Sequence, residues 1–281
     1  MPVTGAGRLG VVGLGRMAQS LLLPQIEAGE LQASEVRAAV ASEASVHRLA
    51  AEHGLEAATN PSAAWACPIV LLAIKPQQLE AVAAAAPAPA APPTGEPPPQ
   101  ERPGEPLLIS VLAGVSIERL RRLFPGRRIV RAVPNTPALV RAGLTALAFA
   151  PEVDVAQRRW AHALFARVGE VLELPEGQLD AFLALTSSGP AFVALLAEAM
   201  ADGAVAAGLP RALAQHLAHR TLAGTAELLH QRELHPGQLK DMVASPAGTT
   251  IAGLRRLEAA GVRSAMLEAV LAAAERSREL A

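Results

Sequence analysis

The chain contains 281 residues, of which 51% are hydrophobic and 2% aromatic, and its 25 basic and 26 acidic residues leave a net charge of −1. This length accommodates two domains with a sizeable core, whereas the balanced charge and the scarcity of aromatic rings argue against nucleic acid or an anionic membrane as a partner. The single cysteine, Cys67, excludes an intramolecular disulfide and is typical of a reducing compartment. We therefore expect a soluble, cytoplasmic protein that binds a small molecule.

The first half of the chain alternates short apolar runs with helical patterns. The apolar runs predict strands at residues 9–12, 35–41, 69–74, 107–112 and 128–133. Helices are predicted at 16–28 and 116–123. Because strands that alternate with helices form parallel sheets covered on both faces, we expect an α/β, doubly wound, Rossmann-like domain here.

A change of composition interrupts this alternation. Residues 83–106 are rich in proline and alanine and contain almost no bulky apolar side chains. Such a segment has too little apolar surface to form a core, which favours a tolerated surface insertion. The alternative is a proline-rich ligand for a partner domain.

Strand patterns disappear from about residue 178 onward, and Ala-rich helical periodicity takes over. We therefore predict a dinucleotide-binding domain at 1–174 and an all-α substrate and dimerisation domain at 175–281. The helical pattern at 192–222 is apolar over more of its circumference than a monomer normally exposes. This excess predicts a homodimer or a higher homo-oligomer.

The first predicted strand runs into a glycine-rich turn that opens the first helix. The turn matches the G-x-G-x-x-G/A pattern of dinucleotide sites with Gly13, Leu14, Gly15, Arg16, Met17 and Ala18. The first glycine permits a tight turn, the second lets backbone approach a pyrophosphate, and the last position allows close packing of helix on strand. Residues 5–10 satisfy the same pattern but precede the strand, so their context is wrong. The turn at 13–18 predicts dinucleotide binding.

Loops at the carboxyl ends of later strands are further candidates, because ligands of open α/β sheets bind there. The second strand is followed by Ser42, which can bond a ribose hydroxyl or a 2′-phosphate, and by Glu43, which would repel the phosphate. The choice between NAD and NADP therefore stays open. Residues 73–76 and 113–116 follow the third and fourth predicted strands and could line the same crevice.

Several motifs, taken in order, resemble the pyrroline-5-carboxylate reductase family. Beyond the turn at 13–18 and the loops at 73–76 and 113–115, they are Arg131-Ala132-Val133-Pro134-Asn135-Thr136-Pro137, Ser188-Gly189-Pro190-Ala191-Phe192 and the signature loop from Asp241 to Ile251. One position departs from the family, which usually carries two consecutive glycines after Ser-Pro where this chain has Ala247 and Gly248. A left-handed backbone at Ala247 would be strained.

The resemblance implies reduction of 1-pyrroline-5-carboxylate to L-proline, with NADPH or NADH as cofactor. By the same resemblance the dinucleotide would be held by Gly13, Leu14, Gly15, Arg16, Met17, Ala18, Ser42, Asn60, Ala73, Ile74, Lys75, Pro76, Ala113 and Gly114. The substrate would meet Glu176, Thr249 and Thr250. Composition and spacing alone point to neither Asn60 nor Glu176.

The implied reaction needs hydride at the imine carbon, a proton on nitrogen and a held carboxylate. Because imines are readily protonated, a hydroxyl that orients the nitrogen suffices, and Thr250 is the candidate. The loop at 245–250 opens a predicted helix, whose free N–H groups could cradle the carboxylate. The alternative for Thr249 and Thr250 is simple helix capping. No metal site is expected, since His216 and His219 lack a third ligand.

Two other functions fit parts of the pattern. A β-hydroxyacid dehydrogenase of the same architecture would need a lysine-type acid or base in the helical domain, where Lys240, beside Asp241, is the only lysine. A nucleotide-sensing module without turnover would not need a complete substrate loop. Both explain less of the sequence than an imine reductase does.

Overall fold

A computed structural model describes residues 9–87 and 105–279. It contains two compact units, one that ends at Ser187 and resumes at Ala274, and one from Ser188 to Ala273. The first is α/β and the second is all-α, which confirms the predicted fold class. The boundary predicted between residues 174 and 175 stays a prediction. Most of the predicted proline-rich insertion and residues 5–8 of the alternative glycine motif lie outside the described residues.

The first unit is built on an eight-stranded sheet. Its strands are β1 Leu9–Val12, β2 Val36–Ala39, β3 Glu56–Ala58, β4 Ile69–Leu72, β5 Leu107–Ser110, β6 Arg128–Val133, β7 Gly143–Phe149 and β8 Gly169–Glu173. Their order is β3-β2-β1-β4-β5-β6-β7-β8. The chain therefore reverses direction across the sheet between β3 and β4, and β1 lies beside β2 and β4, where a doubly wound sheet binds its ligand.

The expectation of a parallel sheet holds for the pairs from β3 to β6 and is wrong for the next pair. β7 runs antiparallel to β6, with Val130 opposite Phe149 and Val133 opposite Ala146. Only a short 3-10 turn, Thr136–Val140, joins these strands. Because a parallel pair needs a crossover of a dozen or more residues, this connection enforces the antiparallel arrangement. β8 then pairs with β7 in parallel.

Helices cover the sheet and bury its apolar strands. They are α1 Arg16–Glu27, α2 Glu43–His53, α3 Ser62–Trp65, α4 Leu79–Ala85, α5 Ile117–Leu123, α6 Val155–Ala166 and α7 Leu179–Thr186. Side chains of the central strands, such as Val11, Leu71 and Leu108, are fully buried. α4 extends to Ala85, so the first three residues of the predicted insertion are helical.

Three predicted strands end earlier than expected. β2, β4 and β5 stop two residues before the carboxyl ends of the apolar runs at 35–41, 69–74 and 107–112. Apart from the exposed Ala41, the apolar residues beyond them remain packed against the core, but they belong to the connections that lead to the next helices. These connections form the edge at which a ligand would bind.

The second unit is helical throughout its described residues. Its helices are α8 Gly189–Ala206, α9 Arg211–Gln231, α10 Pro236–Val243, α11 Thr249–Ala259 and α12 Val262–Glu279, the last of which continues beyond the unit. α8 and α9 pack through small residues, with Ala201, Ala214 and Ala218 buried. Large apolar side chains remain exposed on both, as at Leu195 (66%) and Leu213 (44%). The unit therefore presents apolar surface that it does not cover itself.

Gly10, in the middle of β1, tests how tightly the sheet is covered. A Cβ at this position would lie 2.0 Å from the backbone oxygen of Ala64 in α3. We expect Gly10→Ala to lower the free energy of unfolding by about 3 kcal/mol, because backbone cannot yield as a flexible side chain does. Urea denaturation measures this change in the free energy of unfolding.

The matched control is Gly177→Ala, where an added Cβ has no atom within 4 Å. Its unfolding free energy should stay within about 0.5 kcal/mol of wild type. Equal stability of the Gly10 and Gly177 variants would contradict the packing of α3 on β1.

Candidate active site

A cleft of about 470 Å³ opens at the carboxyl ends of β1, β2 and β4. Of the residues predicted to hold a dinucleotide, it is lined by Gly13, Leu14, Gly15, Ala73, Ile74 and Lys75. The connection after β2 contributes Val40, Ala41 and Ser45. The structure thus brings the glycine turn and the loop after β4 together, although 60 residues of sequence separate Gly13 from Ala73.

Gly13 occupies a position that no other residue fits. Its φ is +91°, and an added Cβ would lie 2.7 Å from the carbonyl oxygen of Ala73. Its N–H donates to the carbonyl of Ala39 at 3.0 Å, which joins the turn to the end of β2. The tight turn predicted for this glycine is therefore present, and it closes one wall of the cleft.

The start of α1 has the properties of an anion site. Gly15 is the N-cap, is exposed, and has no atom within 4 Å of an added Cβ. The first turn contains no acidic residue, and Arg16 is exposed there. Free N–H groups and the positive end of the helix dipole favour a phosphate at this place. The turn therefore fits the pyrophosphate of a dinucleotide.

The last two residues of the motif face the protein. Ala18 is completely buried, as close packing of helix on strand requires. Met17 is half-buried, and its carbonyl accepts from the Ser20 hydroxyl at 2.8 Å. Neither residue is among those that line the cleft.

Ser42 and Asn60 do not line the cleft themselves but lie at its rim, next to the lining residues Ser45, Thr59 and Pro61. Ser42 is the N-cap of α2, and its Oγ accepts from the N–H of Ser45 at 3.3 Å. Asn60 Oδ1 accepts from the N–H and the hydroxyl of Ser62 at 2.9 and 2.7 Å. Glu43 accepts from the hydroxyl of Thr59 at 2.9 Å, which holds this carboxylate at the same rim. Their predicted contacts with a cofactor stay predictions.

The loop after β4 lies at the cleft, whereas the predicted cofactor turn after β5 lies outside it. Pro76 opens a 3-10 turn in which the Lys75 N–H donates to Gln78 Oε1 at 3.2 Å, so the loop holds its own shape. Ala113 and Gly114 follow β5, and Gly114 has a φ of +71°. This second turn does not line the cleft at the ends of β1, β2 and β4.

Trp65 is a cleft residue that the sequence did not predict. It lines the cleft from α3 and stacks on Phe124 with 5.5 Å between ring centroids. Arg127 lies over the indole ring at 4.9 Å and donates to the Trp65 carbonyl at 3.2 Å. Burial lowers the pKa of the Arg127 guanidinium. A lone tryptophan in a helix of four residues carries no motif, so only the structure could identify it.

Glu176 lies in a 3-10 turn between β8 and α7, within the first unit. Its Oε1 accepts from the N–H of Ile117, the first residue of α5, at 2.7 Å. The same oxygen lies 3.3 Å from Nη1 of Arg131, and the glutamate side chain is 33% exposed. The carboxylate is thus held against the turn that follows β5.

Thr249 and Thr250 lie in the second unit, as the first two residues of α11. Gly248 is the N-cap, and no side chain caps the helix, so capping does not explain either threonine. Thr250 Oγ1 donates to the carbonyl of Val243 at 3.0 Å. The loop therefore opens a helix as predicted, and its first N–H groups have no side-chain cap.

Ala247 adopts the conformation that the sequence identified as strained. Its φ is +57°, in the left-handed region that glycine occupies at no cost. The Gly248 N–H donates to the carbonyl of Ser245 at 2.9 Å, which closes the turn around Ala247. An alanine therefore holds a left-handed conformation at the position where the resemblance leads one to expect glycine.

A second cavity, of about 760 Å³, lies between α8 and α9 and includes His219 but not His216. Arg211 pairs there with Asp202 at 2.5 Å. Among the residues that the structure describes, no group of three or more His, Cys, Asp or Glu side chains could hold a metal ion.

Two family models match the chain, one in its N-terminal part and one in its C-terminal part. The family model described as pyrroline-5-carboxylate reductase dimerisation matches residues 176–280, and the model described as NADP oxidoreductase, coenzyme F420-dependent, matches residues 8–93. Pyrroline-5-carboxylate reductases of Synechocystis sp. and Thermus thermophilus are 44% and 42% identical to the chain, and each alignment covers 97% of this chain and 98% of the relative.

Solved structures of pyrroline-5-carboxylate reductases also resemble the chain over nearly its whole length. A pyrroline-5-carboxylate reductase from Coxiella burnetii superposes with a TM-score of 0.82 and 28% identity over 99% of both chains. A pyrroline carboxylate reductase from Plasmodium falciparum, with NADP bound, superposes with a TM-score of 0.84 and 27% identity over 98% of both chains.

Gly13→Ala tests the cleft as a dinucleotide site. We expect it to weaken NADPH binding at least about tenfold, because the added methyl would displace the Ala73 loop. Isothermal titration calorimetry measures the Kd for NADPH. Gly54→Ala is the control, since Gly54 also has a positive φ, +63°, but has no atom within 4 Å of an added Cβ and lies outside the cleft. Equal affinity of the two variants for NADPH would argue against this site.

Ala247→Gly tests the strain in the second unit. Relief of the left-handed conformation should raise the free energy of unfolding by about 1 kcal/mol. Ala252→Gly, in the exposed interior of α11, is the matched control and should lower it by about 0.5–1 kcal/mol. Thermal unfolding distinguishes the two, and a loss of stability in both variants would show that position 247 does not carry strain.

Proposed function

The chain belongs to the pyrroline-5-carboxylate reductase family, and we propose from this premise that it reduces 1-pyrroline-5-carboxylate to L-proline with NADPH or NADH. This reaction is the last step of proline biosynthesis. The observation that carries the proposal is the cradle at Gly13 and Gly15, which fits a dinucleotide and lies in a chain related to these reductases over 97% of its length.

The dinucleotide supplies the hydride. In the proposal its pyrophosphate lies on the N-terminus of α1, where Gly15 leaves space and Arg16 adds positive charge. Ser42 and Asn60 hold the ribose side of the rim, and the Ala73–Pro76 and Ala113–Gly114 turns hold the nicotinamide side. The same rim carries Glu43, so kinetics with NADPH and NADH must decide the preference.

Thr250 orients the imine nitrogen in this proposal. A carbonyl can only accept, so the Thr250 hydroxyl uses its proton toward Val243 and presents its lone pairs to a ligand. It would therefore accept a hydrogen bond from the N–H of a protonated imine. Hydride added to the carbon of this iminium ion gives the neutral amine, so no further proton is needed during hydride transfer.

Glu176 and the loop before α11 recognise the rest of the substrate in the proposal. The carboxylate of Glu176 complements the positive charge of the iminium group. Uncapped N–H groups at Thr249 and Thr250 complement the substrate carboxylate. Together these groups explain how an imine acid could be bound without a dedicated arginine.

We further propose a cytoplasmic homodimer or larger homo-oligomer, with no nucleic-acid or membrane partner. The segment Glu176–Ala206 is long and apolar enough to cross a membrane by length and composition, and most of its residues are not buried in the chain. It consists of two helices, however, and the family model for dimerisation includes it. A partner chain on this apolar surface accounts for its exposure.

The β-hydroxyacid dehydrogenase alternative is not favoured. The relatives that match over nearly the whole chain are named pyrroline-5-carboxylate reductases. Lys240 lies in α10 and belongs to neither proposed set of binding residues.

The decisive experiment is oxidation of NADPH and NADH by the purified protein with 1-pyrroline-5-carboxylate. Thr250→Ala should lower kcat/KM by about 10²-fold, because the hydroxyl that orients the nitrogen is removed. Thr250→Ser, which keeps the hydroxyl, should retain most activity. Absence of turnover with both dinucleotides would overturn the function, whereas an unimpaired Thr250→Ala enzyme would remove only the role of Thr250.

A further inference from the structure

Arg131 is a buried arginine on β6, only 5% exposed, in the centre of a cluster of charged side chains within the first unit. Its Nη1 lies 3.3 Å from Glu176 Oε1, and its Nη2 lies 3.6 Å from Asp180 Oδ1. Asp180 Oδ1 also accepts from the hydroxyl of Ser277 at 2.7 Å. One guanidinium therefore faces two carboxylates of the segment that carries Glu176.

Stability alone is a poor explanation for this arginine. Among the described residues, its buried Nε has no hydrogen-bond partner. Removing a charge from water costs free energy that an ion pair only partly returns, so buried pairs are weak evidence for a stabilising role. A charge placed on a strand at this cost, beside a proposed substrate residue, points to a functional role.

The geometry at Glu176 indicates what that role is. Both the N–H of Ile117 and Nη1 of Arg131 engage the same oxygen, Oε1. Within the part of the chain that the structure describes, Oε2 has no hydrogen bond. Two donors on one oxygen limit rotation of the carboxylate and leave the other oxygen available to a ligand.

We propose that Arg131 is a positioning residue for imine reduction, which directs Oε2 of Glu176 toward the positively charged iminium group. The inference rests on the proposed function. Because Ile117 directly follows the turn at 113–116, the same carboxylate also fixes the turn that is predicted to hold the nicotinamide side of the dinucleotide. Arg131 acts on the reaction only through Glu176.

Arg128 provides a matched control on the same strand. It is 1% exposed, faces the opposite side of the sheet, and pairs with Asp154 at 2.5 Å. Its removal also takes away a buried guanidinium and its ion pair, here with Asp154, whose side chain is 43% exposed. A loss of stability should therefore follow substitution of either arginine, whereas a kinetic effect should follow substitution of Arg131 only.

The test is a double-mutant cycle with Arg131→Met and Glu176→Gln in the full-length enzyme. We expect each single variant to raise the KM for 1-pyrroline-5-carboxylate by about tenfold or more, and the double variant to match Glu176→Gln within about twofold. The Kd for NADPH, from titration of tryptophan fluorescence, should likewise be the same in the double variant as in Glu176→Gln. Arg128→Met should leave this KM unchanged and combine additively with Glu176→Gln.

Arg131→Lys covers the case in which Arg131→Met fails to fold, and it should recover part of the wild-type KM, since lysine keeps the charge but cannot face both carboxylates. An Arg131 effect that persists in full in the Glu176→Gln background would overturn the positioning role and leave the proposed function intact. A Glu176→Gln enzyme with wild-type KM would overturn the role of Glu176 and the inference with it.

Discussion

Backbone atoms of β1 and of the turn that follows it approach two neighbouring segments more closely than a side chain would permit. A Cβ at Gly10 would lie 2.0 Å from the Ala64 oxygen, and one at Gly13 would lie 2.7 Å from the Ala73 oxygen. The first approach brings α3, and with it Trp65, onto the end of the sheet. The second brings the loop after β4 against the glycine turn. Both walls of the cleft therefore depend on the absence of a Cβ at two positions, one in β1 and one in the turn after it, at the switch point of the sheet.

The two units meet different chemical demands with different groups. In the first, a helix N-terminus without acidic residues offers N–H groups and partial positive charge, which suit a phosphate group. In the second, a tight turn at Ala247 precedes a helix whose threonine hydroxyl is already committed to a backbone carbonyl. The strained residue and the committed hydroxyl both restrict the loop to one shape, which is the usual means of preorganising a small binding site.

Sequence patterns predicted those elements whose structure depends on neighbouring residues in the chain. β1 and β6 begin and end as predicted, because continuous apolar runs indicate strands buried on both faces. β3 and β8 at the sheet edges lack such runs, and β7, GLTALAF, contains alanines that suit a helix equally well. The glycine turn follows from its context in the same way. Glu176 and Asn60 came only from resemblance. Arg131 opens one of the motifs of that resemblance, but its contacts with Glu176 and Asp180 join distant residues, as does the packing of Trp65 on Phe124, so no pattern in the sequence indicates these contacts.

The cluster around Glu176 shows why position outweighs charge in the proposed reaction. A guanidinium 3.3 Å from Oε1 weakens the attraction of the carboxylate for a cationic iminium group, so Arg131 cannot serve the reaction by raising that attraction. What it can supply is direction, because hydride transfer requires the imine carbon to be held within a few tenths of an ångström of its productive place. A carboxylate with one oxygen fixed by two donors loses little freedom when a ligand binds to the other. The buried arginine thus lowers the entropy cost of binding while reducing the Coulomb attraction, and the iminium, whose single N–H is accepted by Thr250 in the proposal, tolerates that exchange.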